Sequence, residues 1–218
     1  MFAVVSGRAG DERTQVEAAL RAAGVKPVAA HPSPSLAVLL EDAAHPPWPD
    51  VPTIVISSKT DIDSFTNAIT SGVAAYLTTP LEAGELTAAA RRLARWKAPA
   101  PGTGTRTRSR RPLLLEVDLE IEGRHLRGHL VDVSAGGCRV ETTGQVTRGT
   151  PLRLTPRALG RSTGIALGGT VTRTRRDDTV QPVICEVALR FNGTSALLAA
   201  RIFGAPGADR RHTLRPPS

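Results

Sequence analysis

Between Leu113 and Ile121 every second residue is apolar: Leu113, Leu115, Val117, Leu119 and Ile121 are interleaved with Glu116, Asp118 and Glu120, and Glu122 follows. A period of two is the pattern of a half-buried strand. A turn at Glu122-Gly123-Arg124 leads to a second strand, His125 to Val133. Cys138-Arg-Val140, Leu152-Arg-Leu154, Ile165 to Thr174 and Val183 to Phe191 continue the series, the last with Val183, Cys185, Val187, Leu189 and Phe191 on one face. Six short strands broken by Gly and Pro predict a closed antiparallel barrel. Ser195 to Phe203 reads as a short closing helix.

The first half has a different rhythm. Phe2 to Ser6 is a short apolar run, and Asp11 to Ala23 reads as a helix, acidic at its start and followed by Gly24. A weak strand at Val28 to Ala30 and a helix over Pro34 to Ala44 follow, then a Pro-rich stretch and a strand at Val51 to Ser58. Asp61 to Ser71 places Ile62, Phe65 and Ile69 on one helical face and stops at Gly72. Val73 to Leu77 is the next strand. The helix Glu82 to Lys97 begins acidic and ends with Arg91, Arg92, Arg95 and Lys97, matching its dipole. Alternating strands and helices predict an α/β layered domain with a mainly parallel sheet.

A chain of 218 residues accommodates two domains, each with its own core. The change of rhythm falls at Ala98 to Arg111, a Pro/Gly/Thr/Arg stretch with almost nothing to bury. The expected division is an α/β domain over 1–97, a flexible linker over 98–111, a barrel over 112–204 and a disordered basic tail over 205–218. Charge follows this division: residues 1–97 carry 9 Lys and Arg against 10 Asp and Glu, leaving 19 against 10 for residues 98–218. Such basicity invites a nucleic-acid reading. The arginines sit in the linker, in Arg173-Thr-Arg175-Arg176 and in the tail, with one Tyr, four Phe and no helix-turn-helix pattern, so nucleic acid is not the expected partner. No apolar run of about 18 residues and no leader pattern is present, and a cytoplasmic protein is expected. Cys138 and Cys185 fall on apolar faces of strands and are expected to be reduced core residues.

Two motifs 22 residues apart supply candidate chemistry: Arg106-Thr-Arg-Ser-Arg110, an RxxxR spacing, and Asp132-Val-Ser134-Ala-Gly136-Gly137, a DxSxxG spacing at a strand end. Arginine can form two parallel N–H bonds to guanine O6 and N7 or to a phosphate, and Asp and Ser take up donors and hydroxyls. Glycine admits close approach of a ligand to the backbone. Read singly, an RxxxR in an Arg-rich stretch is a solvated linker and a DxSxxG a strand-to-turn signal. Together the motifs resemble those of the PilZ family, and Val187-Ala-Leu-Arg-Phe191 is similar to its final strand. The resemblance covers roughly residues 104–204. It implies a cyclic di-GMP receptor in which Arg106, Arg110, Asp132, Ser134, Gly136 and Gly137 hold the dinucleotide, with Arg111 and Arg139 as further candidates.

Residues 1 to about 97 resemble a response-regulator receiver domain, chiefly over Pro52 to Ser57 and Ala75 to Pro80, and the resemblance is incomplete. The first strand runs into Ser6-Gly7-Arg8 where a receiver carries its acids, and Thr79 stands where a receiver has Lys. The span before Pro52 reads as lacking the third strand and third helix, and Asp42 and Asp50 lack the partner acids that Mg2+ requires. A degenerate, truncated receiver-like domain without a phosphoacceptor is therefore expected. As in receivers, the face around the second half of its sheet and its last helix would serve for interaction or homodimerisation.

Other candidates carry less. His125 and His129 are four apart on a strand, about 13 Å, too far to share a metal. Glu116, Asp118, Glu120 and Glu122 read as a polar strand face, and Ser134 has no His placed as its base, so no catalytic site, metal or cofactor is expected. The expected role is a cyclic di-GMP-binding adaptor acting on motility, exopolysaccharide or developmental output through an unidentified protein partner. A nucleotide-silent scaffold and a basic nucleic-acid binder are the alternatives.

Overall fold

The computed structural model describes residues 1–7, 10–32, 34–40, 51–82, 84–95, 110–179 and 182–203. Five parallel strands form the first sheet: β1 (Phe2–Ser6), β2 (Lys26–Val28), β3 (Leu36–Leu40), β4 (Thr53–Ser57) and β5 (Ala75–Thr78). Their order is β2-β1-β3-β4-β5, the order of flavodoxin-like doubly wound folds. Around them lie α1 (Asp11–Ala22), α2 (Ile62–Thr70) and α3 (Glu85–Arg95). α1 turns Val16 and Leu20 into the core, and α2 turns in Phe65 and Ile69. The Asp61 side chain caps α2 by accepting from the Ser64 N–H at 2.7 Å, satisfying a donor that the first turn leaves open.

The helix expected over Pro34 to Ala44 is not formed at Leu36–Leu40. That run is β3, paired with β1 on one side and β4 on the other. Its five consecutive residues are all buried, which suits a central parallel strand covered on both faces and leaves no polar stripe for a helix. The sheet therefore keeps its third strand, contrary to the expected deletion. The crossover from β2 to β3 contains no helix among the described residues. Asp42 and Asp50 lie outside them.

The second sheet closes on itself. Strands β6 (Arg111–Ile121), β7 (Arg124–Ser134), β8 (Gly137–Thr142), β9 (Pro151–Ala158), β11 (Leu167–Asp177) and β12 (Ile184–Phe191) form an antiparallel ring, and β10 (Arg161–Ser162) is added to β9. The order runs β9-β11-β12-β8-β7-β6, and β6 returns to β9 through Val117↔Pro156 to Glu120↔Arg153. This is the expected six-stranded antiparallel barrel, with β10 as a two-residue addition that the pattern does not predict. α4 (Gly193–Phe203) packs Ala199 and Phe203 against the barrel core. Cys138 and Cys185 are buried and free. Cys138 pairs with Leu189, four residues from Cys185 along β12, so about 13 Å separates their rungs.

The barrel packs against the first sheet along β5, α2 and α3. Phe65 and Ile69 of α2 join the barrel's hydrophobic cluster, while Leu114 of β6 packs on the core of the first sheet. The Leu114 N–H donates to the Ala74 carbonyl at 2.6 Å, and Arg92 of α3 lies 3.4 Å from Glu141 of β8. The barrel of the same chain thus occupies part of the face expected to serve a homodimer. Burying the apolar residues Phe65 and Ile69 accounts for this contact, since each would otherwise expose large apolar surface.

Candidate functional site

The site is built where β7 changes sides. Gly128 and Leu130 pair with Thr142 and Val140, while Asp132 pairs with Arg139. The register shift between them is a bulge at Val131. Without it Asp132 would share the inner side of Leu130. With it, Val133 pairs with buried Cys138 and Asp132 turns to the outer side beside Arg139. Bulges that re-aim one side chain are common beside functional sites.

Asp132 is 3% exposed although it is on the outer side, because two guanidinium groups cover it. Arg110 Nη1 donates to Oδ1 at 2.6 Å and Arg139 Nε donates to Oδ2 at 2.6 Å. Arg139 Nη1 also donates to Glu186 Oε2 at 3.3 Å, and Glu186 Oε1 accepts from Arg173 Nη2 at 3.2 Å. A chain of alternating charge, Arg110–Asp132–Arg139–Glu186–Arg173, therefore crosses the barrel wall from the start of β6 to β11. It carries one net positive charge. Each guanidinium has five N–H donors, and these contacts use one nitrogen of Arg110 and two of Arg139. Two cationic forks are held in fixed directions with donors to spare, an arrangement suited to an anionic or carbonyl-rich ligand.

Ser134 and Gly137 close the β7–β8 hairpin. Ser134 Oγ donates to the Gly137 carbonyl at 3.1 Å, and its lone pairs stay available to accept. A Cβ on Gly137 would stand 2.1 Å from the Leu189 carbonyl oxygen, so the close approach that demands glycine is to β12. Gly136 is exposed with nothing within 4 Å of an added Cβ, so no neighbouring residue demands glycine there. Its carbonyl accepts the Phe191 N–H at 3.1 Å.

The other sequence candidates separate. Arg111 turns away from Asp132: Nε donates to the Phe203 carbonyl at 3.1 Å and Nη2 to the Ile69 carbonyl at 2.9 Å. Arg106 lies outside the described residues. Sequence reasoning missed Glu186, which orients Arg139, and Arg190, which register places opposite Gly137 on the outer side. The signal for the bulge was present as a parity break, with Leu126, Gly128 and Leu130 on even positions and Val133 on an odd one.

A cavity of about 720 Å3 opens elsewhere, between β5, α3 and β6, lined by Glu85, Arg92, Glu116, His129 and Arg157 among others. Burial, reinforced by Glu82 and Glu116, raises the Glu85 carboxyl above its usual range. Burial and then Arg92 lower the His129 imidazole, with Glu116 opposing. His129 is thus half-buried in this cleft, while His125 is exposed. Charges of both signs line the cleft, and two of them pair, Arg157 Nε lying 3.7 Å from Glu116 Oε2. No group of His, Cys, Asp and Glu among the described residues could hold a metal ion, and no described helix is long and apolar enough to cross a membrane.

A six-stranded antiparallel barrel closed by a C-terminal helix, with a charged site at the end of its first two hairpins, defines the second half as a small barrel domain. Residues 105–203 match the family model described as PilZ domain, and this part of the chain is a PilZ domain. No curated protein matches the chain. Among solved structures it is similar to the PilZ domain of YcgR from Escherichia coli with c-di-GMP, at 14% identity and a TM-score of 0.36, over 46% of this chain and 89% of that one. The Bacillus subtilis inhibitor of motility MotI/DgrA gives 19% identity and 0.36, over 47% of this chain and 53% of that one. The K. pneumonia MrkH–c-di-GMP complex gives 15% and 0.36, over 45% of this chain and 49% of that one. The chain thus spans about half the length of the latter two. The family model, rather than these superpositions, identifies the domain.

Proposed function

We propose that this chain is a cyclic di-GMP-binding adaptor, with the dinucleotide held against the outer wall of the barrel at Asp132. The observation that carries the reading is the double clamp of Arg110 and Arg139 on one buried carboxylate, which lies within the residues of the family match and joins residues of the two motifs. In this reading Arg106 and Arg110 contact guanine edges and phosphates, Asp132 and Ser134 accept from base or ribose, and the Gly136 backbone admits close approach. Arg139 completes the site, and Gly137 keeps the hairpin in place. The ligand is bound, not transformed. Its arrival adds contacts from Arg106 beside the already seated Arg110, and a protein partner in motility, exopolysaccharide or developmental control reads the altered surface.

Calorimetric titration of the full chain with cyclic di-GMP tests this. Saturable binding is expected for the wild type. Arg106→Ala, Arg110→Ala and Asp132→Ala should each weaken it about 10-fold to 100-fold, the scale of losing charge-assisted hydrogen bonds, with Arg210→Ala unchanged. Wild-type affinity in all three site variants would overturn the assignment. Salt-sensitive affinity for generic DNA that survives Arg106→Ala would favour a nucleic-acid role instead.

A further inference from the structure

Arg110 and Arg111 are adjacent in sequence and point to opposite sides of the start of β6, as strand alternation requires. Arg110 reaches the outer side and Asp132. Arg111 enters a buried junction where the C-terminal ends of two helices converge, bonding to the carbonyls of Ile69 in α2 and Phe203 in α4. Helix C-termini carry partial negative charge, so one guanidinium is drawn to both. The Phe203 ring centroid lies 5.9 Å from Arg111 Cζ, and Nη1 is buried without a hydrogen-bond partner among the described residues. Burial lowers the Arg111 pKa to about 10, so the group still enters the junction charged at neutral pH.

We propose that Arg111 is a positioning residue for the nucleotide site: by pinning the first residue of β6 to α2 and α4 it fixes the direction of Arg110, and so links ligand affinity to docking of the first sheet on the barrel. The inference rests on the reading of Arg110 as a ligand residue. The physical content is preorganisation. A ligand-binding arginine whose neighbour is pinned loses less freedom on binding than one on an unanchored backbone. Linkage then requires the reverse effect, tighter docking when ligand is bound. Two backbone amides report it: the Gly72 N–H shares the Ile69 carbonyl with Arg111, and the Leu114 N–H bonds to Ala74 across the junction.

The test measures cyclic di-GMP affinity and residue-resolved amide exchange in the full-length wild type, Arg111→Gln and Arg111→Lys. Gln removes the charge. Lys keeps a point charge that cannot span both carbonyls as the planar fork does. The proposal expects at least about 10-fold weaker binding for Arg111→Gln and an intermediate value for Arg111→Lys. It also expects ligand-dependent slowing of Gly72 and Leu114 exchange in the wild type that is absent from Arg111→Gln. A merely structural role would not produce that ligand-dependent change. Affinity within twofold of wild type with the slowing intact would overturn the proposal, and if Arg111→Gln does not fold, Arg111→Lys decides by the same criteria. Absence of binding by the wild type would overturn the nucleotide reading and Arg111's effect on affinity. The anchoring itself is judged separately without ligand, where faster Gly72 and Leu114 exchange in the variants supports it and unchanged rates overturn it.

Discussion

At the scale of single residues, the motif Asp132-Val-Ser-Ala-Gly-Gly137 divides into parts with different work. Asp132 organises two arginines, Ser134 ties its hairpin, and Gly137 lets β8 lie against β12. Gly137→Ala would drive a methyl into the Leu189 carbonyl, and a stability loss of about 3 kcal/mol, the upper end of the usual cost of overpacking, is expected in denaturant unfolding. Gly136→Ala meets open space and has no positive φ to strain, so its fold should hold within about 0.5 kcal/mol. If ligand closes on that backbone as proposed, Gly136→Ala still weakens cyclic di-GMP binding. Wild-type affinity there would remove Gly136 from the site. The motifs pair Arg110 with Asp132, as the structure does, but do not show why each glycine is present, because a spacing does not reveal whether the approaching backbone is a ligand's neighbour or another strand.

Elements were legible wherever a period was long. β12 alternates over its whole length and β6 does so from Leu113 onward, and the helices α1, α2 and α3 carry caps, acidic starts or apolar faces that fix them in the sequence. Leu36 to Leu40 was misread because five consecutive apolar residues satisfy a buried helix and a buried strand equally, and only the neighbours β1 and β4 decide. His129 on β7 gives a prediction at this scale. It lies between Glu116 and Glu141 in register and faces Arg92 of α3, and its pKa is lowered by burial first and by Arg92 second. The unfolded chain therefore takes up the proton more readily. The stabilising contribution is complete above about pH 6.5 and is lost as pH falls from there through the lower folded value. Urea unfolding at pH 7.5 and 5.5 should show a loss at the lower pH that His129→Gln reduces. An equal loss in both proteins would place the pH sensitivity elsewhere.

For the whole molecule, what the sequence could not show is the packing of one half on the other. Phe65 and Ile69 read as the inner face of a helix in the first half, yet they join the barrel core, and no local pattern distinguishes the two destinations. That contact occupies part of the face expected for a homodimer and places Arg111 between α2 and α4, one residue from Arg110. It also opens the mixed-charge cleft at Glu85, Glu116 and His129, the competing place for a ligand to lodge. The measurement that separates the two is the map of backbone amide resonances perturbed by saturating cyclic di-GMP in the full chain. The account predicts shifts concentrated at residues 104–111, 132–139 and 186–190. Shifts centred on the cleft, or none at all, would contradict it.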